Sequence, residues 1–298
     1  MSVKEFFVLM LVCVIWGLHF VVMKYTVGNT AEPLFYAAVR MSIVAVLLAP
    51  KLKWHEGLMP LVIGAGLGFG ALNYAFMFPA LKFTTATAGA VTIELFVPFS
   101  IILSVIFLRE RIGKFKIAGI VLAFLGVLLV ATAKPDEAAG PYFLLGIILM
   151  MGAAMSEAVG AVIVKKVKGI GPLQLLAWFA IVGSVVLWTL TLTLERNQIH
   201  AFRGDNLVPF LLALGYSALL VSIVAHGSYY WLLQRLPISV VSTSGLMTTL
   251  VAVISSALIL KEPLTPLLIV GGLMTLSGVA LILWRNRLEK KALPPASV

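Results

Sequence analysis

The sequence predicts an all-α polytopic membrane protein: ten transmembrane helices in two inverted five-helix repeats. Three observations carry this. First, 61% of the 298 residues are apolar and 11% are charged, against about 45–50% and about 25% in soluble domains; mean hydropathy is +1.08. Second, the apolar residues form ten continuous runs near the roughly 20 residues a bilayer-crossing helix needs. Third, cations are distributed unevenly between the runs, and segments of the first half recur in the second. A soluble enzyme, a disordered chain and a disulfide-stapled secreted domain are excluded. A membrane β-barrel is excluded too, because its strands alternate in polarity.

Each run is bounded by Pro, Gly or charge. Helix 1 spans 5–26; its end at Met23-Lys24-Tyr25 offers no small-x-small cleavage site, so it is a retained helix rather than a signal peptide. Helix 2 (34–50) follows Pro33, helix 3 covers 59–81, and helix 4 (85–108) stops at Arg109-Glu110-Arg111. Helices 5 (115–133) and 6 (142–164) flank Lys134-Pro135-Asp136-Glu137. Helix 7 (172–194) opens on Pro172 and closes at Glu195-Arg196. Helices 8 (207–233), 9 (238–260) and 10 (265–285) are separated by Arg235 and by Lys261-Glu262-Pro263. The repeats divide as 1–134 and 135–298.

Basic residues orient the bundle. With a cytoplasmic N-terminus, fifteen face inward: Lys4, Lys51, Lys53, Arg109, Arg111, Lys114, Lys116, Lys165, Lys166, Lys168, Arg235, Arg285, Arg287, Lys290 and Lys291. Five face outward: Lys82, Lys134, Arg196, Arg203 and Lys261. The positive-inside rule therefore places both termini in the cytoplasm of a bacterial inner membrane protein. It also accounts for the net charge of +10 without nucleic acid as a partner. Cys13 is the sole cysteine, so neither an intrachain disulfide nor a Cys-based metal site forms. No cofactor or metal is expected.

At an offset of 152, Leu108-Arg109-Glu110 recurs as Leu260-Lys261-Glu262, Ser104 as Ser256, Gly119 as Gly271 and Gly126 as Gly278. Near helices 3 and 8 the offset is 153, and near helices 1 and 6 it is 141. Five helices per copy force the second copy to enter the membrane upside down. Inverted repeats meeting near the midplane are the usual frame of alternating-access carriers.

These residues also resemble a family. Trp16-Gly17 and Lys24 in helix 1, Arg40 seven residues after Pro33, and Pro98 followed twelve residues later by Glu110 resemble the EamA branch of the drug/metabolite transporter superfamily. Glu262 and Gly271 resemble its second copy. Helix 9 departs from the pattern: no proline stands at Leu250 or Val251, where Pro98 maps. The resemblance implies ten helices, a central cavity and movement of small metabolites, with YddG-type amino acid exporters as the leading comparison. It also implies a structural or gating role for Arg40, whose alternatives are pairing with Glu94 or with a substrate carboxylate.

An ionisable side chain at the centre of a membrane helix costs about 2.5–3.5 kcal/mol on insertion scales, so each is a functional candidate. Glu94, on one helical face with Thr87, Val91 and Pro98, is a candidate for binding an amino group or a proton. Pro98 removes the backbone bond to the Glu94 carbonyl. Glu157 lies among small residues and maps onto Trp16 in the inverted copy. His19 and His226 are relay or hydrogen-bonding candidates, and His226 maps onto Asn73. Trp16, Tyr74 and Tyr229 are candidates for stacking or cation–π contacts, with Phe78, Trp178, Tyr230 and Trp231 behind them. The expected substrate cavity is therefore Trp16, His19, Asn73, Tyr74, Glu94, Glu157 and Tyr229, with Arg40, Pro98 and His226 structural or gating.

Expected partners are an amino acid or related metabolite, membrane lipid and protons as coupling ion. Export of lipophilic cations is the alternative cargo, and a non-transporting membrane scaffold a weaker one. Phosphate-bearing cargo would want several cavity cations. Two motifs are look-alikes. Gly66-x-Gly68-x-x-Ala71 sits in an apolar helix, where it serves packing rather than a dinucleotide, and no Gly-x-Ser-x-Gly elbow of a hydrolase is present.

Overall fold

The computed structural model describes residues 1–109, 112–133, 141–233, 235–236, 241 and 244–292, and the regular structure among them is helical. The elements are α1 Val3–Asn29, α2 Pro33–Leu48, α3 Met59–Phe83, α4 Ala86–Phe107, α5 Lys114–Thr132, α6 Phe143–Val164, α7 Pro172–Leu194, α8 Gly204–Tyr229, α9 Ser244–Leu260 and α10 Pro266–Ala292. Among the described residues nine are long and apolar enough to cross a bilayer, and α9 is shorter. Residues 237–240 and 242–243, which the sequence assigns to the start of α9, lie outside the described residues. So do Glu110, Arg111, Lys134 and the side chains of Tyr230, Arg287, Lys290 and Lys291.

Local sequence explains how these helices begin. Ser2 and Glu5 form a reciprocal capping box at α1, with Ser2 N donating to Glu5 Oε2 at 2.6 Å and Glu5 N to Ser2 Oγ at 3.3 Å. Proline sits in the first positions of α2 and α7, where its missing N–H costs nothing. Two carboxylates cap helices of the first half from the second half. Glu195 accepts from Leu34 N and Phe35 N at 2.8 and 2.9 Å. Glu262 accepts from Ala86 N and Thr87 N at 2.6 and 3.0 Å. Each satisfies two orphan donors at a positive helix end.

The repeat is visible in backbone geometry. Arg109 and Lys261, equivalent at offset 152, close α4 and α9 in the left-handed region with φ of 55° and 54°. The recurring Leu-Arg/Lys-Glu segment is thus the same helix stop used twice. The glycine pair seven residues apart makes the antiparallel α5–α10 crossing. Gly119 faces the Gly278 carbonyl, and Gly126 faces the Gly271 carbonyl. The contacts are reciprocal, each glycine meeting the counterpart of the other, as two-fold related elements require.

Four helices are irregular within the membrane. Wide π turns occur in α3 at Leu67–Leu72, in α8 at Tyr216–Ala225 and in α9 at Ser256–Leu260. Helix α4 breaks between Ile93 and Phe96. Pro98 is the cause: the Glu94 carbonyl, without its usual donor, accepts instead from Val97 N at 3.1 Å. The expected packing role of the α3 glycines also appears, with Gly68 against Gly160 of α6 and Gly70 against Phe179 and Gly183 of α7.

A Cβ at Gly126 would collide with Thr275 and the Gly271 backbone, whereas a Cβ at Gly215 has open space. Gly126→Val is expected to destabilise the fold by about 1–3 kcal/mol and Gly215→Ala to be neutral, as thermal denaturation of detergent-solubilised protein would show.

Candidate functional site

A cavity of about 490 Å³ lies where the two halves meet, and its polar and aromatic wall includes Trp16 and His19 of α1, Arg40 of α2, Asn73 and Tyr74 of α3, Glu157 of α6, His226 of α8 and Thr248 of α9. Trp16 and Glu157 are repeat counterparts at offset 141, and Asn73 and His226 at offset 153. Pro33 and Pro172 hold the same place in α2 and α7, which makes Phe179, another wall residue, the counterpart of Arg40. Three counterpart pairs on one wall place the cavity on the axis that relates the halves.

The irregular helices deliver the polar groups. In α3, Asn73 follows the π turn and donates from Nδ2 to the Ala153 carbonyl at 3.1 Å and to Glu157 Oε2 at 3.3 Å. In α8, the π turn leaves carbonyls for side chains five residues on: Ser222 Oγ donates to Ser217 O at 3.0 Å, and His226 Nδ1 donates to Val221 O at 2.7 Å. The proton of His226 is therefore on Nδ1. The Trp16 ring lies 5.2 Å from both the His226 and the Tyr229 ring centroids.

Arg40 is buried, at 1% exposure. Its guanidinium sits 4.8 Å from the centroid of the Tyr74 ring, a cation–π contact, and Nη2 donates to Ser222 Oγ at 3.2 Å. Among the described residues the one ion pair is Lys82–Glu32 at 3.3 Å, so the pairing of Arg40 with Glu94 weighed from the sequence is not formed. His19 Nε2 is hydrogen-bonded to Ser217 Oγ at 3.1 Å. The Tyr36 hydroxyl donates to the Ala213 carbonyl at 2.8 Å and also meets Ser217 Oγ. This α1–α2–α8 network holds the ground on which Arg40 stands.

Two residues expected at the cavity stand elsewhere. Glu94 is 8% exposed and outside the wall; its Oε1 accepts from Thr249 Oγ1 at 2.7 Å across the α4–α9 contact. The break that Pro98 imposes turns that carboxylate to α9. Tyr229 stands behind Trp16 rather than on the wall. Sequence reasoning missed Thr248, Tyr36, Ser217 and Ser222. Their only signal was a hydroxyl in an apolar helix, and other Ser and Thr in this chain bond the preceding turn, as Thr26 and Thr189 do.

The comparisons with known proteins agree with this architecture. The model of the EamA-like transporter family matches the chain twice, at residues 3–132 and 144–284. The chain belongs to the EamA-like transporter family. It is a multi-pass membrane protein of transporter type. A probable amino-acid metabolite efflux pump of Escherichia coli is 29% identical over 97% of this chain and 98% of its own length. A protein of the same description from Salmonella typhimurium is 28% identical, covering 98% and 99%. An uncharacterized transporter of Archaeoglobus fulgidus is 28% identical over 94% and 98%. A crystal structure at 16% identity superposes with a TM-score of 0.62 over 97% of this chain and 100% of the other, which is a likeness of fold.

Thr249→Val is expected to leave the buried Glu94 carboxyl without its partner and to cost about 1–3 kcal/mol of stability. The same substitution in a Glu94→Leu background should cost much less, and a double-mutant cycle by thermal denaturation measures the difference.

Proposed function

We propose that this protein exports small metabolites, foremost amino acids with aromatic or other apolar side chains, across the bacterial inner membrane by alternating access. The observation that carries the reading is the cavity at the junction of the two repeats, with an apolar and aromatic wall and a few polar groups of both charge signs. Glu157, oriented by Asn73, is the acceptor for a substrate ammonium group. Trp16, Phe69 and Phe179 offer faces to an apolar side chain. The relatives described as amino-acid metabolite efflux pumps support the same substrate class.

In this reading residues 1–134 and 135–298 are the two halves that rock against each other, and both termini are cytoplasmic. The present state faces inward. The wall includes Val164, Pro172 and Leu175, at the ends of α6 and α7 joined by the cation-rich 165–168 segment. The opposite end is fastened: Glu195 caps α2, Glu262 caps α4, Thr87 meets Ser256, and Lys24 Nζ donates to the Leu81 carbonyl at 2.8 Å. These contacts form the outer gate. Efflux of lipophilic cations is the second reading, favoured by Glu157 and the aromatics; a buried guanidinium in the same wall opposes it.

Purified protein in liposomes is expected to show saturable counterflow of labelled L-leucine or L-phenylalanine. Glu157→Gln should lower it about tenfold or more, equivalent to about 1.4 kcal/mol, at unchanged membrane insertion. Saturable transport of lipophilic cations with no amino acid flux would replace this reading with the second.

A further inference from the structure

The cavity wall holds a cation that forms no ion pair with a described residue. Arg40 is the largest fully buried side chain among the described residues, and of its five N–H donors the structure engages one, with Ser222. Nε and Nη1 are both buried without a hydrogen-bond partner. A buried ion left unpaired is strongly unfavourable, and no carboxylate forms an ion pair with Arg40 among the described residues. The neighbours supply partial compensation only, through the Tyr74 ring face and the Ser222 hydroxyl. A second donor of the same wall is in the same position: Trp16 Nε1 is buried and unpartnered, and so is the Thr248 hydroxyl. Asn73 and His19 of the same wall do find partners, as do Glu94 and Tyr36 away from it, whereas the Thr84 and Ser100 hydroxyls, also off the wall, do not. Among the described residues the buried side-chain N–H donors without a partner, those of Arg40 and Trp16, both belong to the cavity wall.

We infer that Arg40 and Trp16 form a carboxylate-binding subsite, so that the transported molecule must carry a carboxylate. The inference rests on the amino acid reading above and sharpens it. The planar guanidinium offers parallel N–H groups through Nη1 and the second hydrogen of Nη2, which match the two oxygens of a carboxylate. Tyr74 and Ser222 hold the plane in place, so little ordering remains to be done on binding. Trp16 Nε1, a donor that cannot accept, adds a single bond of the same polarity. With the carboxylate at Arg40 and the ammonium at Glu157, the site reads both ends of a zwitterion. A lipophilic amine would leave Arg40 uncompensated, which makes the subsite a filter against the alternative cargo.

The test uses purified full-length protein in detergent and measures ligand-induced thermal stabilisation with three matched probes: L-leucine, L-leucinamide and 3-methylbutylamine, plus the L-phenylalanine series. The expected result is half-saturation at least about tenfold lower for the amino acids than for the amides and amines. Arg40→Gln should reduce that preference to about threefold or less. Trp16→Phe, which keeps the ring and removes one donor, should weaken amino acid binding and leave the amines unaffected. It keeps the test available if Arg40→Gln fails to fold. Amides and amines binding as tightly as amino acids would overturn the subsite and leave the carrier with an apolar, amine-directed cavity. Binding of amines alone, or of no probe in either series, would overturn the subsite and the amino acid reading together.

Discussion

In a bilayer core every backbone N–H and C=O must be satisfied inside the protein, because no water is there to do it. That constraint organises this molecule. Departures from regular helix fall in α3, α4, α8 and α9, and the π turns carry buried residues such as Gly70, Ser222 and Ser256 on one side and exposed ones such as Leu72, Leu219 and Leu258 on the other. The four irregular helices, α3, α4, α8 and α9, are two sets of repeat counterparts, and each sends a polar group inward or into a helix interface. The π turn of α3 precedes Asn73. That of α8 aims Ser222 at Arg40 and fixes the His226 tautomer. The break in α4 turns Glu94 to Thr249 of α9. Polarity in the membrane is thereby bought with backbone bonds that find substitutes nearby.

The second constraint is the inversion. Two similar halves facing opposite ways can touch closely only where small residues let backbones approach. The reciprocal Gly119–Gly278 and Gly126–Gly271 contacts meet that need for α5 and α10. A cavity on the relating axis takes one wall residue from each half, so Trp16 faces the place of Glu157 and Asn73 that of His226. The counterparts differ in chemistry, and this asymmetry is where recognition enters: the frame is symmetric and the cavity is not. Asymmetry also separates the two ends of the bundle. Glu195 and Glu262 bind helix N-termini at one end of the bundle, which holds that end shut while the cavity reaches toward the other.

Much of the fold was legible in the sequence. Helix edges read from Pro, Gly and charge match to within a few residues for α3, α6 and α7, because hydropathy decides what enters lipid. The Leu-Arg/Lys-Glu repeat announced a shared left-handed helix stop, although its conformation was not foreseen. The cavity was partly legible. Trp16, His19, Asn73, Tyr74 and Glu157 were expected on its wall and line it, since an ionisable or bulky polar group in lipid needs a reason. Glu94 and Tyr229 stand off this wall, and for Glu94 the reason is the break in α4, since a kink changes which face a residue presents and helical periodicity assumes no kink. Of the two anionic partners the sequence offered Arg40, the one within the protein, Glu94, is not paired with it. Thr248 was invisible, as one hydroxyl among many.

In the proposed cycle one cavity is exposed alternately, and the end fastened by Glu195 and Glu262 is the closed outer gate. In a Cys13→Ala background, Leu176→Cys marks the wall near the cation-rich end and Met77→Cys marks it deeper. A membrane-impermeant maleimide applied to oriented vesicles is the direct probe. Leu176→Cys is expected to be labelled from the cytoplasmic side and neither position from the outside. Opening the gate with Glu195→Gln and Glu262→Gln should then give outside labelling of Met77→Cys and reduced inside labelling of Leu176→Cys. Outside labelling with the gate intact, or equal labelling from both sides before and after its removal, would contradict alternating access in this fold.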